Sequence, residues 1–384
     1  MASIPLDAAG KVAYYDRITG SHDFTVEVDV LDMNERLLGQ VDLLDGQVNF
    51  QRQARDSTNG IARTANLVLS DASDLLHVNM WQGQSFGNRM IRIRHIVEVP
   101  GYGEVAAQVG TFVITQPQGD NFELTVELQD KTALAARGTK PYRVRKGQNA
   151  VAAWVAILRD TTGERKFRVP AGSKRRLSAA MNVGWADEAS PWAVCQQIAN
   201  LLGMEQLYSN DGYATLRRAP SHPAWTFDTD VNVTELPNGA YDWADAVNYV
   251  RVGGGKATGK KGHKKAPPPG TAVAPPTHPN SPGKLARNGV PRYLPFTSSR
   301  EYKKYADRRA AAKRILAREL PMNNDMSWPV IPVFHLDVGD RVRLITPDGS
   351  TTIRLQEASI PLGIGGDMTV GAVRATSKGY SRRG

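Results

Sequence analysis

The feature that most constrains this chain is a run of period-two alternation between residues 24 and 134. Phe24–Val30 places apolar side chains at every second position, and Arg89–Val97 puts arginines on one face and Met or Ile on the other. Successive side chains of a strand point to opposite faces, so this pattern predicts strands with one buried face. Repeated strands at this spacing favour an antiparallel barrel or sandwich.

Short turn signals divide these strands. Asn34-Glu35 and Asp45-Gly46 are predicted to be turns, since Asn, Asp and Gly favour such positions. Val109–Thr115 and Phe122–Leu128 are predicted to pair as a hairpin across residues 118–121. The first third of the chain therefore reads as an all-β block.

The middle of the chain changes period. Gln148–Asp160 carries one apolar helical face and has Gly163 just beyond its end. Ser190-Pro191 opens a second predicted helix, which Gly203 stops. The stretch Gln206–Leu216 reads as a hairpin around Asn-Asp-Gly. A small α+β unit is expected here.

Strands return after residue 248, interrupted by an insertion at 253–295. The insertion is rich in Lys, Gly and Pro, and its scarcity of core-forming residues predicts an extended or mobile loop. A basic amphipathic helix is predicted over Ser299–Leu320, packed on a barrel. Asp337–Asp340 is predicted to turn the chain into the first strand after that helix, and Thr352–Ile360 to pair with Met368–Ala375.

The predicted fold class is α+β, mainly β. Two β-barrel-like domains, at 1–135 and 246–384, flank a small α+β middle domain at 136–245. The second β-barrel-like domain contains the basic insertion 253–295 and the helix 299–320. A chain of 384 residues is long enough for two or three such domains.

The charge is concentrated in one segment. Residues 251–318 hold 17 Lys and Arg against 2 acids, a net of +15, so the remaining 31 basic and 36 acidic residues carry −5 of the total +10. A uniformly basic nucleic-acid-binding domain is therefore not indicated. One cysteine allows neither an intrachain disulfide nor a Cys-based zinc site, which favours assembly in a reducing cytoplasm. No apolar run reaches membrane-spanning length and no signal peptide is visible, so no membrane insertion is expected.

Weak matches to chemical motifs fail on their context. Gly254–Lys261 has phosphate-loop spacing, but Lys261 replaces the Ser or Thr that holds magnesium, and a Pro-rich stretch follows instead of a helix. Asp228–Asn232 begins like a calcium loop but has Val233 where Gly is required. No histidine pair has metal-binding spacing, no G-x-S-x-G is present, and Cys195 lies on an apolar helix face as an inert thiol. No catalytic, cofactor or metal site is predicted.

The remaining candidate is a lysine cluster in the insertion. It consists of Lys256, Lys260, Lys261, Lys264 and Lys265. Five charges could contact phosphates with strongly salt-dependent affinity. The alternative is a solvated loop that docks on an acidic partner or becomes ordered only in an assembly. We expect the cluster to face a lumen or a partner protein.

The order of elements resembles the baseplate hub, or tail-tip hub, proteins of long-tailed bacteriophages, including the N-terminal hub region of tail-associated lysins. The similar features are the early strands ending in Gly110–Ile114, the helix Trp192–Gly203 with its Asp211-Gly212 hairpin, and the Ala-rich helix leading to Asp337–Val342. The resemblance covers nearly the whole chain as a pattern of elements. The long basic insertion lies outside that pattern.

The resemblance implies a structural virion protein of the tail tip, assembled in the host cytoplasm. It implies a homotrimer whose six barrels adapt the six-fold tail tube to a three-fold tip and form the channel for the tape measure protein and DNA. Expected partners are the distal tail protein ring, the tape measure C-terminus, and a spike, fibre or other minor tail protein, with transient contact to genomic DNA in the lumen. Two alternatives stay open: a tail-tip cell-wall-degrading enzyme, and a distal tail or receptor-binding module.

Overall fold

The structure is a computed structural model of the chain. It describes residues 4, 6–19, 22–51, 60, 62–76, 89–119, 122–136, 141–184, 189–235, 238–240, 247–254, 268–278, 281–285, 297–299, 304–320, 325–363 and 365–374. Within these ranges, no helix is both long and apolar enough to cross a membrane.

Six antiparallel strands close into a ring, which we call the first strand unit. A helix precedes them, and the elements are α1 (Ala8–Thr19), β1 (Phe24–Asp32), β2 (Leu37–Gln51), β3 (Arg63–Ser70), β4 (Arg89–Val99), β5 (Gly103–Gly119) and β6 (Leu124–Asp130). Hydrogen bonding follows the order β1-β4-β5-β6-β3-β2, and β2 pairs back onto β1. The alternating residues explain the ring, since side chains such as Leu67 and Val126 fill its interior at every second position. The predicted strands and the 109–128 hairpin are confirmed.

Two features of this unit differ from expectation. Helix α1 has no counterpart in the sequence prediction, although Tyr14 and Ile18 are fully buried. Asp45-Gly46 is not a turn, because both residues continue β2 at a β-bulge. The glycine is needed for close packing rather than for reversal, since a Cβ at Gly46 would lie 2.7 Å from a Leu67 methyl. The predicted turn at Asn34-Glu35 is confirmed, with Glu35 at φ 62°.

A mixed unit follows, which we call the middle unit. Its elements are α2 (Thr132–Ala136), β7 (Tyr142–Val144), α3 (Ala150–Thr162), β8 (Phe167–Arg168), β9 (Met181–Val183), α4 (Pro191–Leu202), β10 (Glu205–Tyr208) and β11 (Ala214–Arg217). The helix ends match the sequence signals. Asn149 caps α3, Ser190 caps α4, and Gly163 and Gly203 adopt the left-handed conformation at the two C-termini. The predicted 206–216 hairpin is confirmed as β10–β11.

The rest of the chain interleaves two further units. The elements are β12 (Pro223–Asp228), β13 (Asn238–Ala240), β14 (Tyr249–Gly254), β15 (Gly270–Val273), α5 (Pro282–Leu285), β16 (Thr297–Ser299), α6 (Tyr305–Glu319), β17 (Asp325–Val330), β18 (Arg341–Thr346), β19 (Gly349–Pro361) and β20 (Met368–Arg374). We call β12, β13 and β17–β20 the second strand unit, and β14–β16 with α6 the helix-on-sheet unit.

The second strand unit also contains six strands. Their order is β12-β18-β19-β20-β17-β13, and only the β12–β18 pair is parallel. The segment that joins β12 to β13 forms an isolated antiparallel β-bridge between Val233 and Val330 of β17. It therefore runs from the β12 edge of the sheet to the strands at the opposite edge. Strands β12 and β13 precede residue 246 yet pair with strands that follow it. The division between the middle domain and the second β-barrel-like domain at 245/246 stays a prediction. The predicted mainly β α+β class is confirmed, with strand units at both ends of the chain and a mixed unit between them.

The helix-on-sheet unit corrects three expectations. Residues 268–278 and 281–285 of the insertion form β15, α5 and turns rather than one extended loop. Helix α6 begins at Tyr305, not Ser299, because Ser299 lies in β16; and α6 packs on β14 and β15 rather than on a barrel. Small residues make the unit hard to detect: a Cβ at Gly270 would lie 2.2 Å from the Arg308 backbone, so glycine permits the close approach.

The two strand units are joined by hydrogen bonds and by a common core. Residues 357–361 of β19 pair antiparallel with 47–51 of β2. One apolar cluster runs through both units, from Val48 and Phe50 of β2 to Leu355 and Ile360 of β19. The two strand units therefore form one continuous body.

Candidate functional site

The Asp337–Asp340 turn lies where three units meet. As predicted, it is a turn: the Asp340 N–H donates to the Asp337 carbonyl at 3.1 Å, and Gly339 adopts φ 81°. Strand β17 comes between α6 and this turn, so β18 is the second strand after the helix and not the first. Both carboxylates are buried, with residue exposures of 2% and 1%. A turn next to water would not bury two charges, so the partners of these carboxylates define the site.

Asp337 pairs with the first strand unit. The Arg63 guanidinium, at the start of β3, lies 2.9 Å from a carboxylate oxygen of Asp337, and both side chains are at most 4% exposed. The same guanidinium donates to the Asn210 side-chain oxygen at 2.5 Å, and the Asn210 amide donates to the Leu336 carbonyl at 3.3 Å. One arginine thus connects the first strand unit, the middle unit and the second strand unit.

Asp340 pairs with the middle unit. The Arg217 guanidinium donates to its carboxylate at 3.0 Å. Burial raises the pKa of Asp340, with a further rise from the nearby Asp337 carboxylate, while Arg217 opposes the shift. Arg354 of β19 donates to the Gly339 carbonyl at 2.9 Å and forms an ion pair with Glu205 of β10.

A second buried cluster joins the first strand unit to the middle unit. The Lys131 ammonium lies 2.5 Å from Glu35 and 2.6 Å from Glu164, and it donates to the Gly212 carbonyl at 2.9 Å. Burial acts to raise the pKa of Glu35, but Lys131 and Lys166 together hold it below its usual value. We call the residues of both clusters the junction: Glu35, Arg63, Lys131, Glu164, Asn210, Arg217, Asp337 and Asp340.

The junction is built to fix positions. Each buried charge has an opposite charge in another unit, so rotating one unit against another would leave a charge buried without its partner. Breaking such a pair costs about 3–5 kcal/mol, although an intact pair adds little net stability. Among the described residues, no group of three or more His, Cys, Asp and Glu could hold a metal ion. The arrangement therefore suits a rigid joint.

A third contact region brings buried histidines between the strand units. The His95 ring of β4 stacks on Phe334 at a centroid distance of 3.8 Å, and His335 lies 5.3 Å from Trp225 of β12. Burial lowers the pKa of each imidazole to about 3. We call His95, His335 and the rings around them, Tyr14, Tyr15, Phe24, Trp225 and Phe334, the aromatic cluster. Its two histidines and Tyr14 are fully buried.

The candidate site residues of the sequence analysis lie in separate parts of the chain. The lysine cluster, Lys256 to Lys265, lies outside the described residues, as does most of the phosphate-loop-like stretch. Asp228–Asn232 is an Asp-rich turn in which the side-chain oxygen of Asn232 accepts the Asp228 N–H at 2.8 Å. Cys195 is fully buried on α4, and burial raises the pKa of its thiol, as expected of an inert residue.

The ion pairs of the junction were not predicted from the sequence, although the position of charged residues on inward-facing strand positions was one signal of buried pairing. Arg63 shares the inward-facing parity of Ala65, Leu67 and Leu69 on β3, and Asp130 shares that of Leu128 on β6. A charged residue at an inward position must have a buried partner. Asp130 meets this demand by accepting the backbone N–H groups of Ala62, Arg63 and Thr132.

The architecture is similar to that of solved tail proteins. A tail protein from Neisseria meningitidis MC58 has a TM-score of 0.61 at 13% identity, covering 91% of this chain and 96% of that one. The 43 kDa tail protein of prophage MuSo2 from Shewanella oneidensis has 0.58 at 12%, covering 90% and 98%. Prophage tail protein gp18 from Listeria monocytogenes EGD-e has 0.52 at 11%, covering 92% and 95%.

No protein-family model matches the sequence, and no curated protein matches it. At 11–13% identity, the likeness concerns the fold. The expected resemblance to phage tail proteins is confirmed at that level: over about nine-tenths of its length, the chain shares the fold of these tail proteins.

Proposed function

We propose that this chain is the structural subunit of a bacteriophage tail-tip hub, a homotrimeric ring that adapts a six-fold tail tube to a three-fold tip. The observation that carries the proposal is the presence of two six-strand units in one chain. Three copies would present six such units around an axis, which meets a six-fold surface on one side while the whole stays three-fold. The fold that the chain shares with tail proteins supports the proposed hub role.

The internal joints support the same role. A ring subunit must hold its two strand units at a fixed angle, because an error in one subunit would prevent closure. Pairing of β2 with β19, the shared core and the buried ion pairs of the junction all restrict that angle. Such a rigid body suits an adaptor more than a device that opens and closes.

The proposal assigns partners by position. One face of the ring would meet the distal tail protein ring, and the other a spike, fibre or minor tail protein. The lumen would pass the tape measure C-terminus and then DNA. The lysine cluster Lys256–Lys265 belongs to the segment with a net charge of +15, and we place it toward the lumen or a partner.

Oligomeric state and symmetry test the proposal. Light scattering on the purified full chain is expected to give a trimer, and negative-stain averages a ring with six similar lobes. A strict monomer at high concentration, with no ring in isolated tails, would refute it. As a check against the enzymatic alternative, the pure protein is expected to leave cell-wall substrate intact in a zymogram.

A further inference from the structure

A basic groove with an apolar floor separates the middle unit from helix α6. It has a volume of about 510 Å³ and is lined on one side by residues 170–173, Arg175 and Arg218, and on the other by Asp307, Ala310 and Arg314. Leu201, Leu202 and Met204, at the end of α4 and just beyond it, provide apolar surface. We call this the basic groove.

Within the part of the chain that the structure describes, the arginines of the basic groove have no acidic partners. Arg175 and Arg218 are exposed, and neither guanidinium forms an ion pair or hydrogen bond with another described residue. Arg314 donates to the Asn200 carbonyl at 3.5 Å. Three arginines therefore face one carboxylate, Asp307. Arginine pairs well with carboxylates, so a ligand with apolar side chains and carboxylates would match this groove.

The opposite chemistry lies exposed on β2. Leu38 and Leu44 each sit at a β-bulge, without a partner residue on the neighbouring strand, and they are 43% and 56% exposed. Leu37 is 55% exposed, and the carboxylates of Asp42 and Asp45 stand beside the leucines in exposed positions. We call Leu37, Leu38, Asp42, Leu44 and Asp45 the leucine patch. Bulges re-aim side chains, and here they turn leucines toward solvent.

We propose that the basic groove of one copy receives the leucine patch of a second copy, and that this contact closes the ring. The inference rests on the proposed trimer and names the surface that would build it. The arginines would pair with Asp42 and Asp45, while Leu44 would cover Leu201, Leu202 and Met204. Since the two surfaces differ, the contact is head-to-tail, and such contacts close into rings when the rotation allows.

A copy of this chain fits better than a nucleic acid. Phosphates would match the arginines but would leave the apolar side chains uncovered, and none of the described residues that line the groove is aromatic and able to stack on a base. Docking of the leucine patch would also remove exposed leucine surface from water. One contact accounts for both surfaces.

Complementary variants of the full chain test the contact. The groove variant carries Arg175→Glu and Arg218→Glu, and the patch variant carries Asp42→Lys and Asp45→Lys. Arg143→Glu, at an exposed position on β7 outside the groove lining, is the matched control. Sedimentation velocity is expected to show each double variant at least about tenfold weaker in self-association, and the control unchanged.

Mixing the two variants gives the diagnostic result. An equimolar mixture is expected to associate, because both mixed contacts bring opposite charges together: the Arg groove with the Asp patch, and the Glu groove with the Lys patch. A three-membered ring cannot close in the mixture, since it would need one contact between two copies of the same variant. A chain carrying all four substitutions restores opposite charges and is expected to recover rings. Monomers in the mixture, or variants that assemble like the wild type, would overturn the contact while leaving the trimer standing.

Two further outcomes separate the possibilities. A wild-type chain that never self-associates would overturn the hub proposal itself, and the contact with it. If the groove variant assembles normally but loses salt-dependent binding to a DNA duplex, the groove is a nucleic-acid site and the inference is wrong.

Discussion

The aromatic cluster should make this protein sensitive to mild acid. His95 and His335 are both fully buried, and no ring nitrogen of either has a hydrogen-bond partner among the described residues. Burial is the main cause that lowers each pKa from 6.5 to about 3, and His22 and His335 add to the effect at His95. The aromatic side chains packed around the two imidazoles carry no negative charge that would stabilise an imidazolium.

The size of the effect follows from proton linkage. Each imidazole has a lower pKa in the folded protein than in the unfolded chain, so its contribution to the free energy of unfolding is fully present above pH 6.5. That contribution falls as the unfolded chain takes up protons, and it stops falling near pH 3. At pH 5, a group with an unfolded pKa of 6.5 destabilises the fold by about 2 kcal/mol. The two histidines together should cost about 4 kcal/mol between pH 7 and pH 5.

Denaturant unfolding at pH 7, 6 and 5 measures this loss. His95→Phe and His335→Phe keep an aromatic ring and remove the titrating group, so each is expected to recover about 2 kcal/mol of the pH 5 loss. His222→Phe, at an exposed position, is the control and should follow the wild type. Burial also raises the pKa of Asp130, so the difference between variants is the quantity to compare.

Equal losses of stability between pH 7 and pH 5 in the wild type and in a variant carrying both His95→Phe and His335→Phe would refute this prediction. Such a result would mean that the imidazoles take up protons in the folded state. A direct check is available, since NMR titration of the imidazole C–H resonances should show both rings neutral in the folded protein at pH 5.

Two further predictions concern the joints. Arg63→Met should lower the free energy of unfolding by about 3–5 kcal/mol by leaving Asp337 buried without its partner, and adding Asp337→Leu should recover much of that loss; purely additive effects in urea unfolding would contradict the buried pair. Gly270→Ala should destabilise the helix-on-sheet unit by about 1–3 kcal/mol, since its Cβ would lie 2.2 Å from the Arg308 backbone. Gly283→Ala meets nothing within 4 Å and is the control; equal hydrogen exchange in α6 for both variants would contradict the close packing.

The sequence predicts local structure best where one signal dominates. Alternation located the strands of the first unit, and the caps at Ser190 and Gly203 located α4 to the residue. The turn predicted at Asp45-Gly46 was wrong because these residue types suit both a turn and a β-bulge. Only the packing of Gly46 against Leu67 decides between the two.

Long-range pairing could not be predicted in the same way. Gly270 and Ala272 look like loop residues because they are small, yet being small is what lets α6 approach the sheet. The junction shows the same limit: parity marks Arg63 as inward-facing, but nothing local identifies Asp337 as its partner across the chain.

The pairing of β2 with β19 has a consequence for how the protein is made. Glu357 pairs with Gln51 and Pro361 with Gln47, positions about 300 residues apart. On the ribosome, the first ring of strands can close early, but its β2 edge must wait until the C-terminal strands emerge. An incomplete chain would therefore expose an unpaired edge, the feature that invites aggregation. Only chains elongated past residue 361 can acquire this pairing, so β19 acts as a check that both strand units have been made before assembly begins.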